Sequence, residues 1–210
     1  LEKLKSRAVL DKNQAEAKID YLAYNDSLTN LPNKASLIKY YEDLLIRENF
    51  VANLDHKLLT IVINIPMLKE VNDTMGYQYG DNVLAGFTEI VNNFLNSPTV
   101  KNNLLEINNN KIFHRSGGNT FVLSILYHKL KHGKSHILFI TNFINMLLSE
   151  LTKPIKIKEE DLYFSYHAGI SIYPDNFKNS ELTSTESLLR YAEIAMSAAR
   201  KKGFNKYIFY

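Results

Sequence analysis

Leu58 to Ile65 reads Leu-Leu-Thr-Ile-Val-Ile-Asn-Ile, a nearly continuous apolar run rich in β-branched residues. Such side chains favour extended backbone, and a run without polar alternation needs apolar cover on both faces. The run therefore predicts a central strand with helices packed on its sheet. Asn64 is its one strongly polar member and lies near the C-terminal end, where α/β sheets usually place ligands. Pro66 then ends the strand and suits the first turn of a short helix through Val71.

A hairpin is predicted where Ile112-Phe113 and Phe121-Val122-Leu123 flank Arg115-Ser116-Gly117-Gly118-Asn119-Thr120. Gly117 and Gly118 allow positive φ and let a phosphate approach the main chain closely. The tip offers Asn119 and Thr120, an amide and a hydroxyl, where metal-dependent phosphoryl transfer would call for carboxylates.

The rest of the chain fills in around these strands. Leu1 to about Asn25 is helical in character, with Leu1, Leu4, Ala8, Ala15 and Leu22 spaced as in a coiled-coil seam that Asp11 and Lys18 interrupt. Two readings stand: a signalling helix joined to an upstream sensor, or a helix packed on its own domain. Residues 1–25 are assigned to that helix and 26–210 to one domain. A polar turn with Pro32 leads to a helix over Lys34 to Glu48. Asn72 to Tyr77 reads as a turn, and Tyr79-Gly80-Asp81 precedes an amphipathic helix to about Asn96. Beyond the hairpin come a helix over Ile137 to Leu151, a long strand over Leu162 to Tyr173, a helix over Thr185 to Lys202 and a closing strand over Lys206 to Tyr210. The order gives an α+β domain with a mixed central sheet and helices on both faces.

Composition excludes more than it proposes. A net charge of +3 with scattered basic residues argues for neither nucleic acid nor a membrane surface. The absence of cysteine rules out disulfides and thiolate metal sites. No apolar run approaches the roughly 18 residues that span a bilayer. The chain starts at Leu1 rather than Met and reads as a piece of a longer protein. His128, His132 and His136 are spaced by four, yet Gly133 and several lysines make a solvated loop the better reading than a metal face.

Five segments in order resemble the GGDEF family, the diguanylate cyclases that join two GTP molecules into cyclic di-GMP. Asp26 to Asn33 is similar to its D-x-L-T-x-L-x-N motif, and Leu68 to Asp81 to F-K-x-I-N-D-x-x-G-H-x-x-G-D. Arg115 to Phe121 stands at the signature hairpin, Ser165 to Pro174 resembles S-x-G-I-x-x-x-P, and Tyr191 to Asn205 resembles A-D-x-A-M-Y-x-A-K-x-x-G-x-N. The resemblance implies the nucleotidyl cyclase fold, with a palm-like, ferredoxin-like core.

The departures bear on function. In active members one carboxylate at the end of the first strand and one in the hairpin turn hold Mg²⁺. Here those positions are Asn64 and Asn119, with Thr120 beside them and Pro66 replacing a neighbouring acid. Mg²⁺ prefers hard, anionic oxygen ligands, and losing one well-placed electrostatic group commonly costs about 10²- to 10³-fold in rate. The resemblance thus implies a catalytically degenerate domain with Asn64, Asn119 and Thr120 as vestigial positions and no metal ligands. The family's later basic position is Phe204, and the inhibitory R-x-x-D would fall near Asn108 to Lys111, where it is absent.

Nucleotide contact is expected from Asn72 and Asp81 at the guanine edge, from Gly117 and Gly118 in the hairpin, and from Arg200 at the phosphates. GTP is the expected ligand, with Mg²⁺ only in its company and no other cofactor. Further expectations are an upstream sensor, a downstream phosphodiesterase (EAL) domain whose activity this module controls, a homodimer, and a cytoplasmic location. The fragment itself touches no membrane on this reading, though its sensor could be membrane-bound. The alternatives are a weakly active cyclase and a dimerisation scaffold that binds no nucleotide.

Overall fold

The structure is a computed structural model that describes residues 2–46, 56–101, 113–128, 136–175, 177 and 185–210. Its elements are α1 (Glu2–Tyr24), α2 (Lys34–Ile46), β1 (His56–Asn64), α3 (Leu68–Met75), α4 (Tyr77–Asn96) and α5 (Pro98–Lys101). There follow β2 (Phe113–Gly117), β3 (Thr120–His128), α6 (His136–Leu151), β4 (Ile155–Ile157), β5 (Glu160–Leu162), β6 (His167–Tyr173), α7 (Thr185–Lys201) and β7 (Lys206–Phe209).

The central sheet has the order β2-β3-β1-β6-β7; β6 and β7 run parallel, while every other neighbouring pair is antiparallel. β1 lies in the middle, and Leu58 to Ile63 are almost wholly buried. Its side chains alternate between two cores. Leu59, Ile61 and Ile63 join Phe87, Val91, Ile144 and Leu147 on the α4–α6 side. Leu58 and Val62 join Leu37, Tyr41, Leu188 and Ala192 on the α2–α7 side. Burying each such side chain favours folding by about 1.5–3 kcal/mol, so the sheet needs both helical layers. The polar intruder Thr60 is accommodated by Tyr41, whose hydroxyl lies 3.4 Å from Thr60 Oγ1 and 2.8 Å from Ser124 Oγ.

Three expectations require correction. The short helix runs through Met75, not Val71, so Asn72 is helical and not a turn residue; Gly76, at φ 88°, ends it. α4 begins at Tyr77, which puts Asp81 inside the helix, and the N-cap position is Gly76 without a side-chain cap. The long strand over Leu162 to Tyr173 is two strands interrupted at 163–166, and β5 pairs with β4 in a separate small sheet. β6 is buried at every position, so it lacks the alternation that suggested one long strand. α1 follows its expected bounds, but its side chains from Lys12 to Tyr24 are exposed, against packing on its own domain. His132 and the stretch Asn108 to Lys111 lie outside the described residues.

Candidate functional site

β1 stops at Asn64, directly opposite Thr120 of β3 on one side and His167 of β6 on the other. The β2–β3 hairpin turns over this corner, with Gly117 at φ 138° and Gly118 at φ 53°, conformations that favour glycine. Ser116 sits at a register shift between Arg115 and Gly117, a bulge of the kind that locally bends a strand. The turn carries Asn119 inward. Its Nδ2 donates to the Ile65 carbonyl at 2.7 Å, and its own carbonyl accepts from Ile65 N at 3.0 Å.

Those contacts fix the amide chemistry of the corner. The Ile65 carbonyl can only accept, so Asn119 must turn its Nδ2 there and leave Oδ1 facing Asn64. Asn64 answers with Nδ2, which lies 2.9 Å from Asn119 Oδ1 and 3.0 Å from Thr120 Oγ1. The three expected vestigial residues are therefore brought together as a closed, neutral clasp. Each hydrogen bond contributes about 1 kcal/mol net.

Arg115 braces the hairpin from below. Its Nε and Nη2 donate to the Gly118 carbonyl at 3.1 and 2.6 Å, and its Nη1 to Asp26 Oδ1 at 2.8 Å. Thr29 also donates to Asp26, from its amide at 2.9 Å and its hydroxyl at 2.7 Å. Burial alone would raise the Asp26 pKa, but the Thr29 and Arg115 bonds outweigh it and hold the carboxyl below its usual 3.8.

A second corner lies between α3 and α4. Asn72 reaches across to Gly80, where an added Cβ would stand 1.9 Å from Asn72 Oδ1. Glycine at that position is thus required by the close approach of the amide. Asn72 Oδ1 is buried and has no hydrogen-bond partner among the described residues, whereas buried polar atoms are ordinarily paired. The next residue, Asp81, is exposed beside it on α4. The buried Asn72 oxygen thus lies against the backbone of Gly80, the residue before the exposed Asp81.

Arg200 lies in the last turn of α7 and is exposed. It sits near His167, whose imidazole pKa falls below 6.5 through burial first and the Arg200 charge second, against a hydrogen bond with the Gly203 backbone. Phe204 stacks on the His167 ring at 5.9 Å between centroids. His167, which the strand register sets opposite Asn64, was not singled out in the sequence reading. Aligning S-x-G-I on Gly169-Ile170 would have placed it at the motif's serine.

The donor set does not fit a divalent cation. Around Asn64 and Asn119 the oxygens are neutral and the Ile65 carbonyl is already engaged. Among the described residues no group of three His, Asp or Glu side chains could hold a metal. Such a corner can orient a ligand by hydrogen bonds, but it lacks anionic oxygens for a hard, strongly hydrated ion.

The model of the family described as diguanylate cyclase, GGDEF domain, matches residues 23–206. The chain belongs to the GGDEF family. This GGDEF domain is 25% identical over 197 residues to the signaling protein YkoW of Bacillus subtilis, a match covering 94% of this chain and 22% of that protein. It is 22% identical over 196 residues to the cyclic di-GMP phosphodiesterase PdeR of Escherichia coli, covering 93% of this chain and 25% of PdeR. The chain therefore spans about a quarter of the length of those curated relatives. Its fold matches a diguanylate cyclase/phosphodiesterase structure from Caldicellulosiruptor saccharolyticus with a TM-score of 0.66 at 21% identity, covering 91% of this chain and 96% of that one. Within the GGDEF domain no described helix is long and apolar enough to cross a membrane.

Proposed function

We propose that this GGDEF domain is catalytically silent and serves as a guanine-nucleotide-binding regulatory module in cyclic di-GMP signalling. The clasp of Asn64, Asn119 and Thr120 carries this reading, because it satisfies with neutral amides the corner where a cyclase needs carboxylates. The unsatisfied Asn72 Oδ1 supports retained ligand binding: the guanine N1 and N2 groups are donors, and the exposed Asp81 carboxylate and that oxygen, once the amide turns outward, are acceptors. The partner regulated is an adjacent EAL phosphodiesterase domain, in keeping with a relative that is itself a phosphodiesterase. GTP would bias that neighbour only through different affinities for its two states.

The test is calorimetric titration with GTP, followed by chromatography of the cell contents. Saturable binding with GTP recovered intact is expected, and Asn72→Ala should weaken it about tenfold. Cyclic di-GMP in the eluate would refute catalytic silence. The scaffold reading draws support from α1, where Ile19 is 66% and Leu22 50% exposed. It calls for a dimer that is lost when residues 1–25 are removed, and for no stabilisation by any nucleotide.

A further inference from the structure

Four residues lie in register across four adjacent strands where β1 ends: Thr120 of β3, Asn64 of β1, His167 of β6 and Lys206 of β7. Directly paired residues on neighbouring strands project to the same face. The row therefore sets a hydroxyl, an amide, an imidazole and an ammonium side by side, with no carboxylate among them. Arg200 adds a guanidinium close enough to act on His167. Lys206 and Arg200 are both exposed. His167 supplies an independent sign of a ligand: it is 3% exposed, and its Nδ1 has no partner among the described residues. The ring hydrogen-bonds the Gly203 backbone through its other nitrogen, so Nδ1 is left as an acceptor for a bridging water, whose second O–H can donate to a phosphate oxygen.

We propose that this row is a phosphoryl-binding site that works without a divalent cation, so that the domain takes its nucleotide in the metal-free form. The proposal rests on the nucleotide-binding reading above and specifies the ligand's ionic state. To bind here, Mg²⁺ would have to displace Asn119 Nδ2 from the Ile65 carbonyl and part Asn119 from Asn64. It would find no anionic oxygen in return, and neutral oxygens compete poorly with its own hydration. The free polyphosphate meets Lys206 and Arg200 with its full negative charge. Chelation by Mg²⁺ cancels much of that charge and weakens the attraction.

The experiment titrates the chain with GTP, guanosine and inorganic tripolyphosphate, each in EDTA and in excess MgCl₂. GTP should bind in EDTA at least as tightly as with Mg²⁺. The double variant Arg200→Ala with Lys206→Ala, both exposed and outside the packed core, should weaken GTP about tenfold or more and leave guanosine unchanged. GTP binding that tightens tenfold on adding Mg²⁺ overturns the proposal. So does guanosine binding as tightly as GTP with the double variant silent, an outcome that leaves the guanine corner standing. Tripolyphosphate binding that the double variant weakens, with no guanosine binding, upholds the row and removes the guanine reading. Failure of all ligands to bind overturns both.

Discussion

The two corners of the molecule treat the same side chain in opposite ways. At the end of β1, Asn64 and Asn119 spend their amides on each other, on Thr120 and on the Ile65 carbonyl. Between α3 and α4, Asn72 presents a buried oxygen that no partner among the described residues satisfies. Asparagine at the first corner therefore acts as internal scaffolding, and at the second it is left unsatisfied, as the proposed recognition group. On the proposed reading, catalysis and binding can be lost separately, because the residues assigned to them belong to different pairs of elements.

The contrast breaks most sharply at Gly80. Gly80→Val would drive a side chain into Asn72 Oδ1 and should cost GTP at least about 100-fold in affinity, read by calorimetry. Full affinity in that variant would mean the open oxygen is not the binding corner. Asn119→Ala should act in the reverse sense. It removes the two side-chain hydrogen bonds that Asn119 makes in the clasp and should lower unfolding stability by about 2 kcal/mol in urea, with GTP affinity little changed. Asn72→Ala should leave stability within about 1 kcal/mol of the parent, since the lost oxygen has no partner to strand, while weakening GTP. A large loss of stability there would show that Asn72 is structural after all.

The smallest effect is expected from acid. Asp26 has a folded pKa below 3.8, so the native state resists protonation more than the unfolded chain does. Its stabilising contribution is present above that value and fades as pH falls through the folded pKa. Asp26→Asn should flatten the acid limb of a melting-temperature profile below about pH 4.

How far the sequence disclosed this arrangement depended on whether local and tertiary preferences agreed. β1 and the hairpin were legible because β-branched runs and a Gly-Gly turn leave few alternatives. Asn72-Asp73-Thr74-Met75-Gly76 was misread, since Asn, Asp and Gly favour turns in isolation while packing of α3 against α4 keeps them helical to Met75. The β4–β5 pair escaped notice because three-residue strands carry too little pattern to separate from a loop. Of the site, Asn64, Asn119 and Thr120 were found as substitutions for acids, but their mutual bonding was not legible. It depends on which way each amide is turned, and that is set by the Ile65 carbonyl. His167 and Lys206 were missed because only the strand register aligns them with Asn64.

The clasp also sets a direction for sequence change. Asn64→Asp alone would turn a donor into an acceptor facing Asn119 Oδ1, and Asn119→Asp alone would aim a carboxylate at the Ile65 carbonyl. Either single step loses a hydrogen bond and gains repulsion before any ion-binding set is complete. The route back to a charged corner therefore passes through intermediates worse than either end, and the amide corner behaves as a ratchet.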